Sequence, residues 1–142
     1  MAETTQLKQA PAATQLTALA LGAIVFVACQ LAISWIAVLA GGEFVEMTGL
    51  IEWPVVRSAT ATSLTAWAIT YVASYVGARA ARPMAQRVVR DVSLQKLAFW
   101  CVGTLIVVTL ERLVYGTVGA IDVFTELMAL LVAYVAIMRA FK

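Results

Sequence analysis

The stretch Ala59–Ala81, ATATSLTAWAITYVASYVGARAA, decides how this chain is read. At about 100° per residue, Ala59, Ser63, Ala66, Thr70, Ala73, Gly77 and Ala80 fall on one stripe of a helix. A third of a turn away, Trp67, Tyr71 and Tyr75 repeat every four residues and make a second stripe. Small residues on an apolar helix let another backbone come close, which is how helices associate in lipid. The small stripe therefore predicts a packing seam. The aromatic stripe predicts a ligand slot or a lipid-facing edge.

Composition places that helix in a membrane. Hydrophobic residues make up 63% of the chain and charged residues 13%, and the mean hydropathy is +0.91. Soluble domains run nearer half apolar and a quarter charged. A span needs roughly 20 apolar residues. Four segments meet that need, at 16–40, 55–77, 97–114 and 121–138, behind a polar tail at 1–15. The expected fold is an all-α bundle of four transmembrane helices with no separate aqueous domain. The first apolar segment is longer than a signal-peptide core of 7–15 residues and is expected to be retained.

Between the spans the chemistry alternates. Gly41-Gly42 is expected to end the first helix, since glycine favours the position just past a helix end. Glu43–Trp53 mixes acids with large apolar residues and is expected to lie in the interface. The connection at 78–96 is basic, with Arg79, Arg82, Arg87, Arg90 and Lys96 against Asp91. Pro83 is expected to begin a surface helix there, held by anionic lipid headgroups or by an acidic partner. No aromatic residue is interleaved with those cations, so nucleic acid is not expected as a partner.

Lysine and arginine also give the orientation. With the amino terminus inside, Lys8, Arg79, Arg82, Arg87, Arg90, Lys96, Arg139 and Lys142 are inside, against Arg57 and Arg112 outside. The positive-inside rule then places both termini inside. The expected location is the inner (cytoplasmic) membrane of a bacterium.

The functional residues are few. The chain has no histidine, which removes bis-histidine haem, the usual zinc sites and histidine acid–base catalysis. Cys29 and Cys101 lie in different spans at different depths, so no disulfide and no redox pair is expected. No nucleotide-binding, hydrolase or metalloprotease motif is present, and no enzyme activity is expected. Whether a pigment or quinone is bound is left open. Gln30 is the polar side chain in the middle of the first span, suited to a hydrogen bond across helices or to lining a path.

On the fourth helix Asp122 and Glu126 continue a stripe of Ala129, Ala133, Ala136 and Ala140, so both acids should point into protein. With Glu111 and Arg112 they make either an ion pair that fixes a helical hairpin, a cation or proton site, or a subunit contact. Two function classes follow. One is a non-catalytic subunit or accessory protein packed in a larger membrane assembly. The other is a small homo-oligomeric transporter or channel using the carboxylates.

Overall fold

A computed structural model describes residues 11–48, 59–115 and 120–142, with the side chains at 38, 41–48, 59–63, 112 and 120–122 excepted. Among the described residues the chain forms four α-helices and no strand. They are α1 (Ala12–Thr48), α2 (Ala59–Val88), α3 (Leu94–Tyr115) and α4 (Ala120–Ala140). Three stretches are long and apolar enough to cross a membrane: Ala12–Ala37 of α1, Leu94–Tyr115 and Val123–Ala140. These are the properties of a membrane protein.

Local chemistry explains the helix ends. The Pro11 carbonyl accepts the Gln15 amide at 3.0 Å and opens α1, where a proline loses no needed donor. Ser93 starts α3: its carbonyl accepts the Leu97 amide at 3.0 Å and its hydroxyl accepts the Lys96 amide at 3.4 Å. That is the usual work of an N-cap serine.

Two expectations are corrected. Gly41-Gly42 does not end α1, which runs on to Thr48. A glycine costs a helix only about 1 kcal/mol relative to alanine, and the residues after the pair are able to continue the helix. The first six residues of the expected interfacial segment thus belong to α1, and its remainder lies outside the described residues.

The basic connection is mostly helix as well. Pro83 lies inside α2 instead of opening a new helix, and only residues 89–93 link α2 to α3. The reason is a line of alanines: Ala78, Ala81 and Ala85 are all at 0% exposure. Their burial carries α2 past the proline, which stands on the exposed side.

Helix α2 differs from the other three. Over its described residues it is not among the helices apolar enough to span. Its first half carries Thr60, Thr62, Ser63, Thr65 and Thr70, and its second half Ser74, Arg79, Arg82 and Arg87.

The helices pack in a square. Among the described residues α1 lies along α2, α2 along α4, α4 along α3 and α3 along α1, with α2 and α3 only lightly in touch across the diagonal. Neighbours 8–10 Å apart make a diagonal of roughly 13 Å. A five-residue link, with a reach of up to roughly 17 Å, makes the crossing through a turn in which the Val92 amide donates to the Val89 carbonyl at 3.3 Å.

The two halves of the square differ. At the end where α1 starts and α4 finishes, Ala18, Leu19, Phe26, Leu97, Cys101 and Ile137 form a closed core with the alanines of α2. Gly22 and Gly77 allow that closeness. A methyl added at Gly77 would sit 2.9 Å from the Phe26 carbonyl oxygen, and one at Gly22 would meet Leu97 Cδ1 at 2.5 Å. Outward, large residues such as Ile24, Trp35, Phe99, Val107, Phe124 and Leu131 stay exposed on α1, α3 and α4. Lipid is the medium that accepts such a surface.

Candidate functional site

Beyond Phe26 the bundle opens into a cavity of about 180 Å³ lined from all four helices. Helix α1 contributes Val27, Gln30, Leu31 and Ser34, and α2 contributes Thr70. Helix α3 adds Leu105, Val108 and Thr109, and α4 adds Glu126, Ala129 and Leu130. The spacing i, i+3, i+4 on α3 and α4, extended to i+7 on α1, puts each set on one face of its helix. Glu126 lies six residues into α4, about 9 Å along the helix from its start.

The floor of the cavity is polar and tied. Gln30 Nε2 donates to Ser74 Oγ at 3.5 Å, and Ser74 is at 0% exposure. Among the described residues Thr109, at 6%, is the other buried polar side chain. The Thr70 hydroxyl donates to the Ala66 carbonyl at 2.8 Å, so it offers the cavity only acceptor positions. Gln30 gives one amide hydrogen to Ser74 and keeps its second N–H and its carbonyl oxygen for other partners. Among the described residues no fully buried side-chain nitrogen or oxygen lacks a hydrogen-bond partner.

Beside the cavity, Trp67 Nε1 donates to the Thr125 carbonyl at 3.2 Å and joins α2 to α4 one residue before Glu126. The Tyr71 and Tyr75 rings stack with centroids 6.4 Å apart and planes 7° from parallel. The Arg79 guanidinium sits 5.7 Å from the Tyr75 centroid, within the range of a cation–π contact. None of the three aromatics lines the cavity. The stripe is engaged with itself, with α4 and with Arg79.

The other singled-out residues fall as follows. Of the carboxylate cluster, Glu126 reaches the cavity and Glu111 is exposed on α3, while the side chains of Arg112 and Asp122 lie outside the described set. Among the described residues no group of three or more His, Cys, Asp or Glu is placed to hold a metal. On the small-residue stripe Ala73 and Gly77 are buried, Thr70 is half-buried and Ala66 is exposed; the side chains of Ala59 and Ser63 are outside the described set. The seam drifts instead onto Ser74, Ala78, Ala81 and Ala85. Arg79, Arg87, Arg90 and Lys96 are exposed and Arg82 half-buried, on the end of the bundle that also carries Arg139 and Lys142. Both cysteines are free, with Cys101 in the core.

Sequence reasoning missed Ser34, Thr109 and the role of Thr70 at the cavity. Ser34 follows Gln30 by four residues, so the two share a face, and that spacing is a legible signal. Thr109 had none, being one hydroxyl in the run LIVVTL. No protein-family model, no curated protein and no solved structure matches this chain.

Proposed function

We propose that this chain is a small carrier or channel protein that holds a cation or proton within the membrane at Glu126. The observation that carries the reading is the cavity, in which one carboxylate is grouped with Gln30, Ser34, Thr70 and Thr109 from four helices. An ionisable side chain at membrane depth is costly and usually marks a path or a binding site. All four helices of one chain line the cavity, so a second copy is not needed to build it. The role in this reading is non-catalytic.

In this reading α2 crosses the membrane as the fourth span, with Thr70 turned to the cavity and its buried alanines to the core. The basic end of the bundle faces the cytoplasm, following the positive-inside rule, with both termini inside. Its arginines and lysines lie at the level of anionic headgroups. The all-helical architecture suits a bacterial inner membrane, since outer-membrane proteins of this kind are barrels.

Flux in proteoliposomes is the direct test, read with protons and alkali cations on opposite sides of a gradient. Glu126→Gln is expected to abolish it, and Glu111→Gln, exposed and away from the cavity, to leave it. Wild-type vesicles that pass no cation, or equal flux in both variants, would refute the proposal.

One observation favours a second reading, that of a non-catalytic subunit in a larger assembly. On α3, Phe99, Trp100, Gly103, Thr104 and Val107 form a shallow groove on the outside of the bundle, with open space over Gly103. A glycine in such a face permits close approach by another helix. Purification in mild detergent separates the readings: unlike subunits that co-purify support the second, and the chain alone or as a homo-oligomer supports the first.

A further inference from the structure

We propose that the outer face of α3 holds one anionic phospholipid of the leaflet at the basic end, its phosphate at Lys96 and an acyl chain in the groove over Gly103. Lys96, Phe99, Trp100, Gly103, Thr104 and Val107 follow the spacing i, i+3, i+4, i+7, i+8, i+11, so all six share one face of the helix. The last five line the groove, and Lys96 stands exposed at its basic end. The site uses no residue of the cavity, so it does not depend on what the cavity carries.

The shape suits a chain of methylenes. Gly103 lies one turn beyond Phe99 and Trp100, with open space over it. The Thr104 hydroxyl donates to the Trp100 carbonyl at 2.8 Å, so its hydrogen is used within the helix. From Lys96 to Val107 is eleven residues, about 16 Å along the axis. One leaflet of a hydrocarbon core of about 30 Å is about 15 Å deep. A lipid with its phosphate at the lysine thus has its tail beside the groove for the depth of one leaflet.

Charge selects the class of lipid. Among the described residues Arg87, Arg90, Arg139 and Lys142 are also exposed at this end, with Asp91 as the acid. The segment ahead of α1 brings Lys8 and Glu3, which leave that balance unchanged. An anionic headgroup gains from such a field, whereas a zwitterionic one brings a cation of its own. Trp100, one turn from the lysine, is an amphipathic ring of the kind that sits at headgroup level, with an N–H able to donate to lipid oxygen.

A second helix is the rival occupant of this face. Close helix contacts want small residues repeated four apart, and here Phe99 and Val107 flank Gly103 at that spacing. A flexible chain bends around two large side chains that hold a helix backbone away.

Trp100 makes the site readable, because bromine on a lipid tail quenches an indole on contact. In the full chain with Trp35→Phe, Trp53→Phe and Trp67→Phe, Trp100 is the remaining tryptophan. That protein is placed in phosphatidylcholine vesicles with a rising share of brominated phosphatidylglycerol or of brominated phosphatidylcholine. Phosphatidylglycerol is expected to quench saturably, and at a mole fraction about fivefold lower, the weight of one cation near an anionic surface. Lys96→Gln should remove most of that preference, as should Gly103→Leu, whose side chain enters open space. Arg87→Gln, an equal loss of charge away from the groove, should keep it.

Equal quenching by the two lipids overturns the inference. So does an equal loss of preference in Lys96→Gln and Arg87→Gln, which marks a diffuse field instead of a site. Quenching by neither lipid means that a second copy or another subunit covers the groove, and overturns it too. Should the chain with one tryptophan fail to fold, native mass spectrometry of the wild-type protein with the same two lipids decides. One phosphatidylglycerol retained in preference to phosphatidylcholine, and lost in Lys96→Gln, supports the site; no preference overturns it.

Discussion

Replacing Gly77 by alanine tests whether the α1–α2 seam is as tight as its geometry requires. The new methyl would lie 2.9 Å from the Phe26 carbonyl oxygen and 3.1 Å from Cδ2 of the same ring. The backbone oxygen cannot swing away, and Phe26 is fully buried, so α1 as a whole must retreat by a few tenths of an ångström. Overpacking of this kind costs about 1–3 kcal/mol. Against it stands the helix preference of alanine over glycine, about 0.8–1.0 kcal/mol. The net expectation is a destabilisation of roughly 0–2 kcal/mol.

Gly103→Ala is the matched control, because nothing lies within 4 Å of a methyl added there. It keeps the helix gain, up to about 1 kcal/mol, and meets no clash. The two variants should therefore differ by about 1–3 kcal/mol in opposite directions. By the scaling for globular chains of this size, that gap is roughly 4–12 °C in melting temperature. Unfolding in mild detergent can be followed by circular dichroism, or by a thiol-reactive dye reading the release of buried Cys101. A Gly77→Ala protein that melts at or above Gly103→Ala would refute the close-contact argument.

Two further outcomes follow from the same packing. Ala73→Leu should destabilise by about 1–3 kcal/mol, since Ala73 is fully buried, whereas Val72→Leu, at a position 53% exposed, should change little. Denaturation of the two variants side by side checks this. Cysteine placed at Arg87 should react with an impermeant thiol reagent from the cytoplasmic side, and cysteine at Glu111 from the opposite side; both positions are exposed at opposite ends of the bundle.

How much of this was legible in the sequence depends on what each residue was asked to say. Alternation of apolar runs and charged links points to four apolar segments, because lipid demands that pattern in every span, and three of them are long and apolar enough to span among the described residues. It mistook Gly41-Gly42 and Pro83 for boundaries. Both residues act on the local backbone by one to a few kcal/mol. Tertiary burial of Ala78, Ala81 and Ala85 outweighs such a penalty at Pro83, and burial against another helix is not written in a local window. Glu126 was recognisable as an inward carboxylate from its alanine stripe. Its grouping with Ser34, Thr70 and Thr109 was not legible, because those residues come from three other helices. The order of the square, with α2 and α3 on a diagonal, has no signature in the chain.

The division of the bundle also constrains how a carrier of this shape would work. Toward the basic end the cavity is closed by Phe26, whose ring and carbonyl rest on Gly77. Beside it runs the seam between α1 and α2, where Phe26 meets Gly77 and the facing residues of α2 are alanines. Such a seam holds few interlocked large side chains, so helices can part along it without each having to find a new rotamer. The polar bond crossing it at cavity level, Gln30 to Ser74, is long at 3.5 Å and close to the limit of a useful hydrogen bond. The Trp67 bond to the Thr125 carbonyl is shorter and keeps α2 on α4. Opening should therefore move α1 away from a pair formed by α2 and α4, leaving Glu126 and Thr70 together while Gln30 and Ser34 withdraw. The carboxylate then stays with the part of the bundle that does not move, and the acceptors on α1 are the ones that release the solute.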